Sequence, residues 1–249
     1  MRIVTETVDL PRDGGVMRVH IARPAAEGRF PALAFYSDIF QLTESTLRTM
    51  ARFAGYGFVV AAPEIYWRFE PPGTAIPFDD AGRDRGQADA RRMRTQDFDA
   101  DIVALVEAIE AWAFVEPDDI GAIGFCLGGH VALRAAFLPA VRATVCLYPT
   151  GLHNGDLAGD GDAGSLERAR SIRGSLRVVY GTLDPHTDAA ARERVSAALG
   201  GAGIELELAA VEAEHAFMRD VGPRYDPKAT DQQVRAAVAF YRRAFGERI

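Results

Sequence analysis

One short stretch, Gly124-Phe125-Cys126-Leu127-Gly128, limits what this chain can fold into more than any other. It follows the apolar run Ile120–Ile123, which has the composition of a buried strand. It opens onto Val131–Phe137, which reads as a helix. Glycines stand two residues before and two residues after Cys126. That spacing is the G-x-nucleophile-x-G signature of a sharp strand-to-helix elbow, with cysteine where serine is usual. The steric reason is direct. A nucleophile must sit on a strained turn so that its side chain projects clear of the backbone, and side chains at the two glycines would collide with the adjoining strand and helix. A following helix aims its first N–H groups at the site, which favours a thiolate and, later, an oxyanion. The competing interpretation of the pentapeptide alone is a tight turn holding a buried structural cysteine.

Composition narrows the surroundings of that elbow. With 249 residues, 48% of them hydrophobic, the chain can bury the core of one large α/β domain or two small ones. The formal charge of −7 argues against general nucleic-acid or membrane-surface binding. Two cysteines, Cys126 and Cys146, make no disulfide framework. The opening residues carry charge early and have no apolar core of a signal peptide, and no uncharged apolar run approaches a membrane span. A cytoplasmic protein with a free thiol is the expectation.

In chain order, residues 5–22 suggest a β-hairpin turning at Pro11–Gly15, with His20 as a surface strand residue. Pro31–Tyr36 and Phe58–Ala62 are continuous apolar runs, expected as strands covered on both faces, with a helix from Thr43 to about Ala54 between them. Residues 64–86 read as a loop. Phe98, Ile102, Leu105, Ile109 and Trp112 then mark one face of a long helix that ends at Pro117. Arg142–Tyr148, Leu176–Tyr180 and Ile204–Ala209 are further strands, with Cys146 in the core. A helix over Ala189–Leu199 separates the last two, and another spans about Asp231–Phe245. Strands alternate with helices from residue 31 onward and no linker divides them. The expectation is one domain over residues 1–249, an α/β fold with a mostly parallel, doubly wound sheet and helices on both faces.

In such a sheet chemistry gathers at the carboxyl ends of the strands. Asp38, Cys126, Asp184 and His215 all stand at strand ends. The last three follow the order nucleophile, acid, histidine, which is the chain order of α/β-hydrolases. Cys126 would attack a carbonyl carbon, His215 would move the proton and activate water, and Asp184 would fix the histidine tautomer. His130, His153 and His186 are poorer bases by position, and Asp188 reads as the N-cap of the next helix. Asp156, Asp160 and Asp162 lack the spacing of a calcium loop, so no metal and no cofactor are expected.

Over about residues 5–245 the chain resembles the dienelactone hydrolases (carboxymethylenebutenolidases). The motifs are Gly-Phe-Cys126-Leu-Gly-Gly, Asp38-Ile-Phe, Ala62-Pro-Glu-Ile-Tyr66, Gly181-x-x-Asp184 and His215-Ala-Phe-x-Arg219. The resemblance implies an α/β-hydrolase fold and hydrolysis of a carboxylate-bearing enol-lactone through a Cys-His-Asp triad. It implies an oxyanion hole from the N–H groups of Leu127 and Ile39. It also implies substrate contacts from Arg219, from Arg85 or Arg83 (Arg85 fitting slightly better), and from Tyr66. A carboxylate that helps generate the thiolate falls at Asp38, where the family usually has Glu, and the usual glycine after Ile-Phe is Gln41. The implied partner is a small-molecule lactone or ester, the implied assembly a monomer or small homo-oligomer. The alternatives are a general carboxylesterase or thioesterase, a glutaminase-like cysteine protein, and a catalytically silent hydrolase-fold binding protein.

Overall fold

The computed structural model describes residues 1–246. The chain begins with β1 (Ile3–Arg12) and β2 (Gly15–Pro24), an antiparallel hairpin closed at Gly14, whose φ of +84° suits a residue without Cβ. The turn is tighter than expected, and Pro11 and Arg12 belong to the first strand. There follow β3 (Phe30–Tyr36), α1 (Glu44–Gly55), β4 (Val59–Pro63), α2 (Asp80–Arg92), α3 (Thr95–Ala111), β5 (Val115–Phe125), α4 (Leu127–Ala135) and β6 (Val141–Leu147). A small hairpin, β7 (Asp156–Ala158) with β8 (Gly161–Asp162), precedes β9 (Ser175–Gly181), α5 (Ala189–Gly200), β10 (Leu206–Val211) and α6 (Pro227–Ala244).

Eight strands form one sheet in the order β1-β2-β4-β3-β5-β6-β9-β10. β3, β4, β5, β6, β9 and β10 run parallel, and the β1–β2 hairpin joins antiparallel through β2 against β4. The strand period of two is visible along β3. Ala32, Ala34 and Tyr36 enter the apolar layer shared with α3, α4 and α5, whereas Leu33 and Phe35 enter the layer shared with α1 and α6. Helices therefore cover both faces, as the continuous apolar strands require. No helix among the described residues is long and apolar enough to cross a membrane.

Two local expectations need correction. The stretch expected as loop up to residue 86 holds the first half of α2, and the long helix after it is α3, separated from α2 at Met93-Arg94. α2 escapes a periodicity argument because it is almost wholly polar, with alanine as its largest apolar residue. Its start is set locally, by the Asp79 carboxylate accepting the Gly82 N–H at 2.7 Å. The second correction is at the other end of α3, which stops at Ala111, while Pro117 lies inside β5. Asp188 caps α5 as expected, accepting the Ala191 N–H at 2.8 Å.

Candidate active site

Cys126 stands between the last residue of β5 and the first of α4, with φ 55° and ψ −121°. A non-glycine residue in this region costs on the order of 1–3 kcal/mol and needs surroundings that enforce it. They are visible. The Cys126 N–H donates to the Leu147 carbonyl at 3.1 Å, and the Cys126 carbonyl accepts from Gly129 at 3.0 Å and Thr150 at 3.2 Å. A Cβ on Gly124 would lie 1.9 Å from the Gly128 carbonyl oxygen, and one on Gly128 would lie 2.1 Å from that of Tyr36. The two glycines are thus what lets the elbow fold back against β3. The Thr150 hydroxyl lies 3.9 Å from the sulfur.

Asp184 follows β9 and His215 follows β10, so adjacent parallel strands deliver the other two groups to the same edge of the sheet. His215 Nδ1 lies 2.7 Å from Asp184 Oδ2, and the second carboxylate oxygen accepts the His186 N–H at 2.8 Å. His215 and Asp184 are 5% and 4% exposed, and the ring of Tyr148 meets His215 edge-on at 5.2 Å. Burial by itself would depress the imidazole, but the negative charge of Cys126 and the hydrogen-bonded Asp184 carboxylate overcome it, and His215 is raised to about 9. The pair is held for an imidazolium.

These groups open onto a cleft of about 530 Å³. Ile39, Phe40 and Leu127 line it beside Cys126. Leu127 is the first residue of α4, so its N–H has no acceptor within the helix. One face of α2 forms the opposite wall through Arg83, Gln87, Ala90 and Arg91, spaced at helical intervals. His186 and Arg219 also line it.

Not every expected residue reaches the cleft. Arg85 lies off the face of α2 that lines it, and its guanidinium pairs with the buried Glu70. Arg83 is the one of the two that lines the cleft, although it is itself paired with Asp80 at 2.8 Å. Tyr66 is fully buried behind the wall, its hydroxyl donating to the Gly86 carbonyl at 3.1 Å. It supports α2 and does not line the cleft. Asp38 sits at the end of β3 as expected, but its carboxylate accepts the Phe40 N–H at 3.0 Å and pairs with Arg219. Arg219 is held between two rings, 4.8 Å from the centroid of Phe40 and 4.1 Å from that of Phe78. Gln41 adopts φ 62°, the conformation glycine takes freely. Its side chain offsets the strain by donating to Thr74 O and accepting from Tyr66 N, both at 3.0 Å, which ties the β3 loop to the β4 loop.

Sequence reasoning missed Tyr148, Thr150, Phe78, Gln87 and Arg91 around this cleft, and placed His186 only among the poorer bases. The first two follow β6 directly, so the strand-end rule was available for them. Those on α2 became visible only once the helix itself was.

A second buried histidine lies behind the elbow. His130, on α4, is 0% exposed and has Nδ1 3.2 Å from Thr150 O and Nε2 2.7 Å from Ser165 Oγ. Arg134 also donates to Ser165 Oγ, at 2.9 Å, and is paired with Asp99. Burial, aided by the Arg134 charge, depresses His130 to about 3, so it is neutral and structural.

Residues 17–245 match the model of the dienelactone hydrolase family. A Saccharomyces cerevisiae protein provisionally named a carboxymethylenebutenolidase is 32% identical over 83% of this chain and 78% of its own length. The carboxymethylenebutenolidase of a Pseudomonas species is 29% identical over 88% of this chain and 87% of its own. Among solved structures, a Klebsiella pneumoniae protein provisionally named a dienelactone hydrolase superposes with a TM-score of 0.84 at 22% identity, covering 97% of this chain and 99% of its own, which is a likeness of fold. With a family match over most of its length and an elbow, acid and histidine at the expected strand ends, this chain belongs to the dienelactone hydrolase family.

Proposed function

We propose that the protein is a cysteine-dependent carboxylic ester hydrolase acting on a small lactone or ester that carries a carboxylate, with the whole chain as its catalytic domain and no cofactor. The observation that carries this reading is the convergence of a strained Cys126 and a buried His215–Asp184 pair on one cleft. The steps follow from the groups present. The Cys126 thiolate, with the His215 imidazolium as counter-ion, attacks the substrate carbonyl carbon. The carbonyl electron pair moves to oxygen, and the N–H groups of Leu127 and Ile39 stabilise that charge. The tetrahedral species collapses with loss of the ring or ester oxygen, which takes the proton from His215. A thioester to Cys126 remains. Neutral His215 then removes a proton from water, the hydroxide attacks the thioester, and the acid leaves as the thiolate and imidazolium re-form.

Arg219 lines the cleft and would take the substrate carboxylate in two parallel hydrogen bonds. Asp38 Oδ2 pairs with Nη2 of that guanidinium, so a substrate carboxylate would share or replace this contact.

The test is burst release of p-nitrophenol from an activated ester, followed by turnover on a panel of carboxylated lactones with neutral esters of the same size as controls. Cys126→Ala should abolish the burst and lower turnover by several orders of magnitude. Arg219→Ala should cost roughly tenfold or more on carboxylated substrates only. Turnover retained in Cys126→Ala would falsify the nucleophile assignment. Equal losses on both substrate types would make Arg219 structural, and no turnover of any panel member would favour a silent binding protein.

A further inference from the structure

His186 has no part in the acyl-transfer steps, yet its ring meets that of His215 edge-on with centroids 4.6 Å apart. It is exposed at the mouth of the cleft, while Asp184 and His215 are buried behind it. The backbone fixes this arrangement, because the His186 N–H donates to Asp184 Oδ1 at 2.8 Å and so holds the residue over the pair. One ligand atom from each of Asp184, His186 and His215 can be chosen so that all three lie within 4.8 Å of one another. Two imidazoles and a carboxylate are the ligand set of an open zinc site, with bonds of about 2.0–2.2 Å.

We infer that this constellation is a zinc-binding inhibitory site, in which a divalent transition ion of the zinc type replaces the proton shared by His215 Nδ1 and Asp184 Oδ2. The His215–Asp184 separation is 2.7 Å with a proton between the two atoms. A tetrahedral ion needs about 3.3 Å between adjacent ligand atoms at those bond lengths, so the pair opens slightly and the exposed His186 closes on the ion from the solvent side. Water fills the fourth position. Charge and atoms balance simply: the ion enters, the proton on His215 Nδ1 leaves to solvent, and no bond to Cys126 forms. The consequence rests on the hydrolase reading. With Nδ1 bound to the metal and Asp184 drawn away, His215 no longer serves as counter-ion and proton carrier for Cys126. The protein would lose activity reversibly as free zinc rises.

The experiment is equilibrium dialysis of the full chain against zinc chloride, for the wild type, Cys126→Ala and two exposed-site variants, His186→Gln and His186→Asn. Wild type and Cys126→Ala should each retain one zinc per chain, and both His186 variants should bind tenfold or more weakly. Zinc should inhibit ester turnover in the wild type at the concentration where it binds, with the same tenfold weakening in His186→Gln when rates with and without zinc are compared within each protein. Cobalt substituted into the wild type should give the visible bands of a four-coordinate site and no thiolate charge-transfer band, and the same bands in Cys126→Ala. Binding lost in Cys126→Ala but kept in the His186 variants overturns the proposal, because the metal would then be held by the thiol. Absence of stoichiometric binding in the wild type overturns it as well. Dialysis needs no turnover, so zinc binding in a protein that hydrolyses nothing would sink the hydrolase reading and leave the site standing.

Discussion

His130 and His215 are both buried, both end their hydrogen bonds on protein atoms, and both stand close to the elbow, but their protonation is driven in opposite directions. His130 faces a carbonyl, a hydroxyl and the Arg134 cation, and is held near 3. His215 faces a carboxylate and the sulfur of Cys126, and is held near 9. Burial penalises the charged ring in both. What separates them is the sign of the neighbouring charge, so a buried histidine becomes a proton carrier only where anions surround it. His130 instead anchors the Thr150 carbonyl, and Thr150 in turn donates its N–H to the carbonyl of Cys126. In the proposed reaction His215 would move the proton, while His130 holds the turn that carries Cys126.

The most severe way to break this contrast is to remove the anion that distinguishes His215. Asp184→Asn should lower turnover roughly 10²–10⁴-fold, through loss of tautomer control and of the imidazolium. The sign can be checked on the thiol. Asp184 raises His215, so without it less His215 is protonated at pH 7–9 and the Cys126 thiolate loses its counter-ion. Iodoacetamide alkylation near neutral pH should slow, with the profile displaced to higher pH. An unchanged alkylation profile would show that Asp184 does not set the protonation of the site.

Removing the other histidine should act on stability more than on rate. His130→Leu strips the Thr150 carbonyl of its partner, and urea unfolding should show a loss of about 1–3 kcal/mol, with kcat/KM within tenfold of wild type. The two histidines also predict opposite pH slopes. His130 is depressed when folded, so its stabilisation is complete above about 6.5 and is lost as pH falls towards 3, where the unfolded chain takes up a proton that the folded one refuses. His215 is raised when folded, so its stabilisation is complete below about 6.5 and is lost as pH rises through about 9. The stability gap between wild type and His130→Leu should therefore narrow from pH 7 to pH 4. The gap for His215→Leu should narrow from pH 6 to pH 9.5. Parallel gaps would mean that burial alone governs both residues.

The smallest expected effect concerns the second thiol. Cys146 lies at 0% exposure in β6, and burial pushes its thiol up. Cys146→Ala should keep the burst and turnover and cost about 1 kcal/mol in thermal or urea unfolding, a small core deletion. Loss of the burst in that variant would mean that Cys126 is not the sole nucleophile.

The sequence by itself determined the elbow, the parallel α/β sheet and the order of Cys126, Asp184 and His215, because these rest on local rules: apolar runs, glycine spacing and strand ends. It also determined Asp188 as a cap and Cys146 as core. Only the tertiary structure decided which charged residues face the cleft. The polar helix α2 has no apolar stripe to announce it, and its rotation about its own axis turns Arg83 to the cleft and Arg85 to Glu70. The pairing of Asp38 with Arg219 joins residues 181 positions apart, and that of Arg134 with Asp99 joins different helices. Partners of this kind are chosen by where packing leaves each charge, and no local pattern encodes that choice. The meeting of Cys126, Asp184 and His215 is a property of strand order, whereas the protonation of the histidine belongs to the charges that the fold gathers around it.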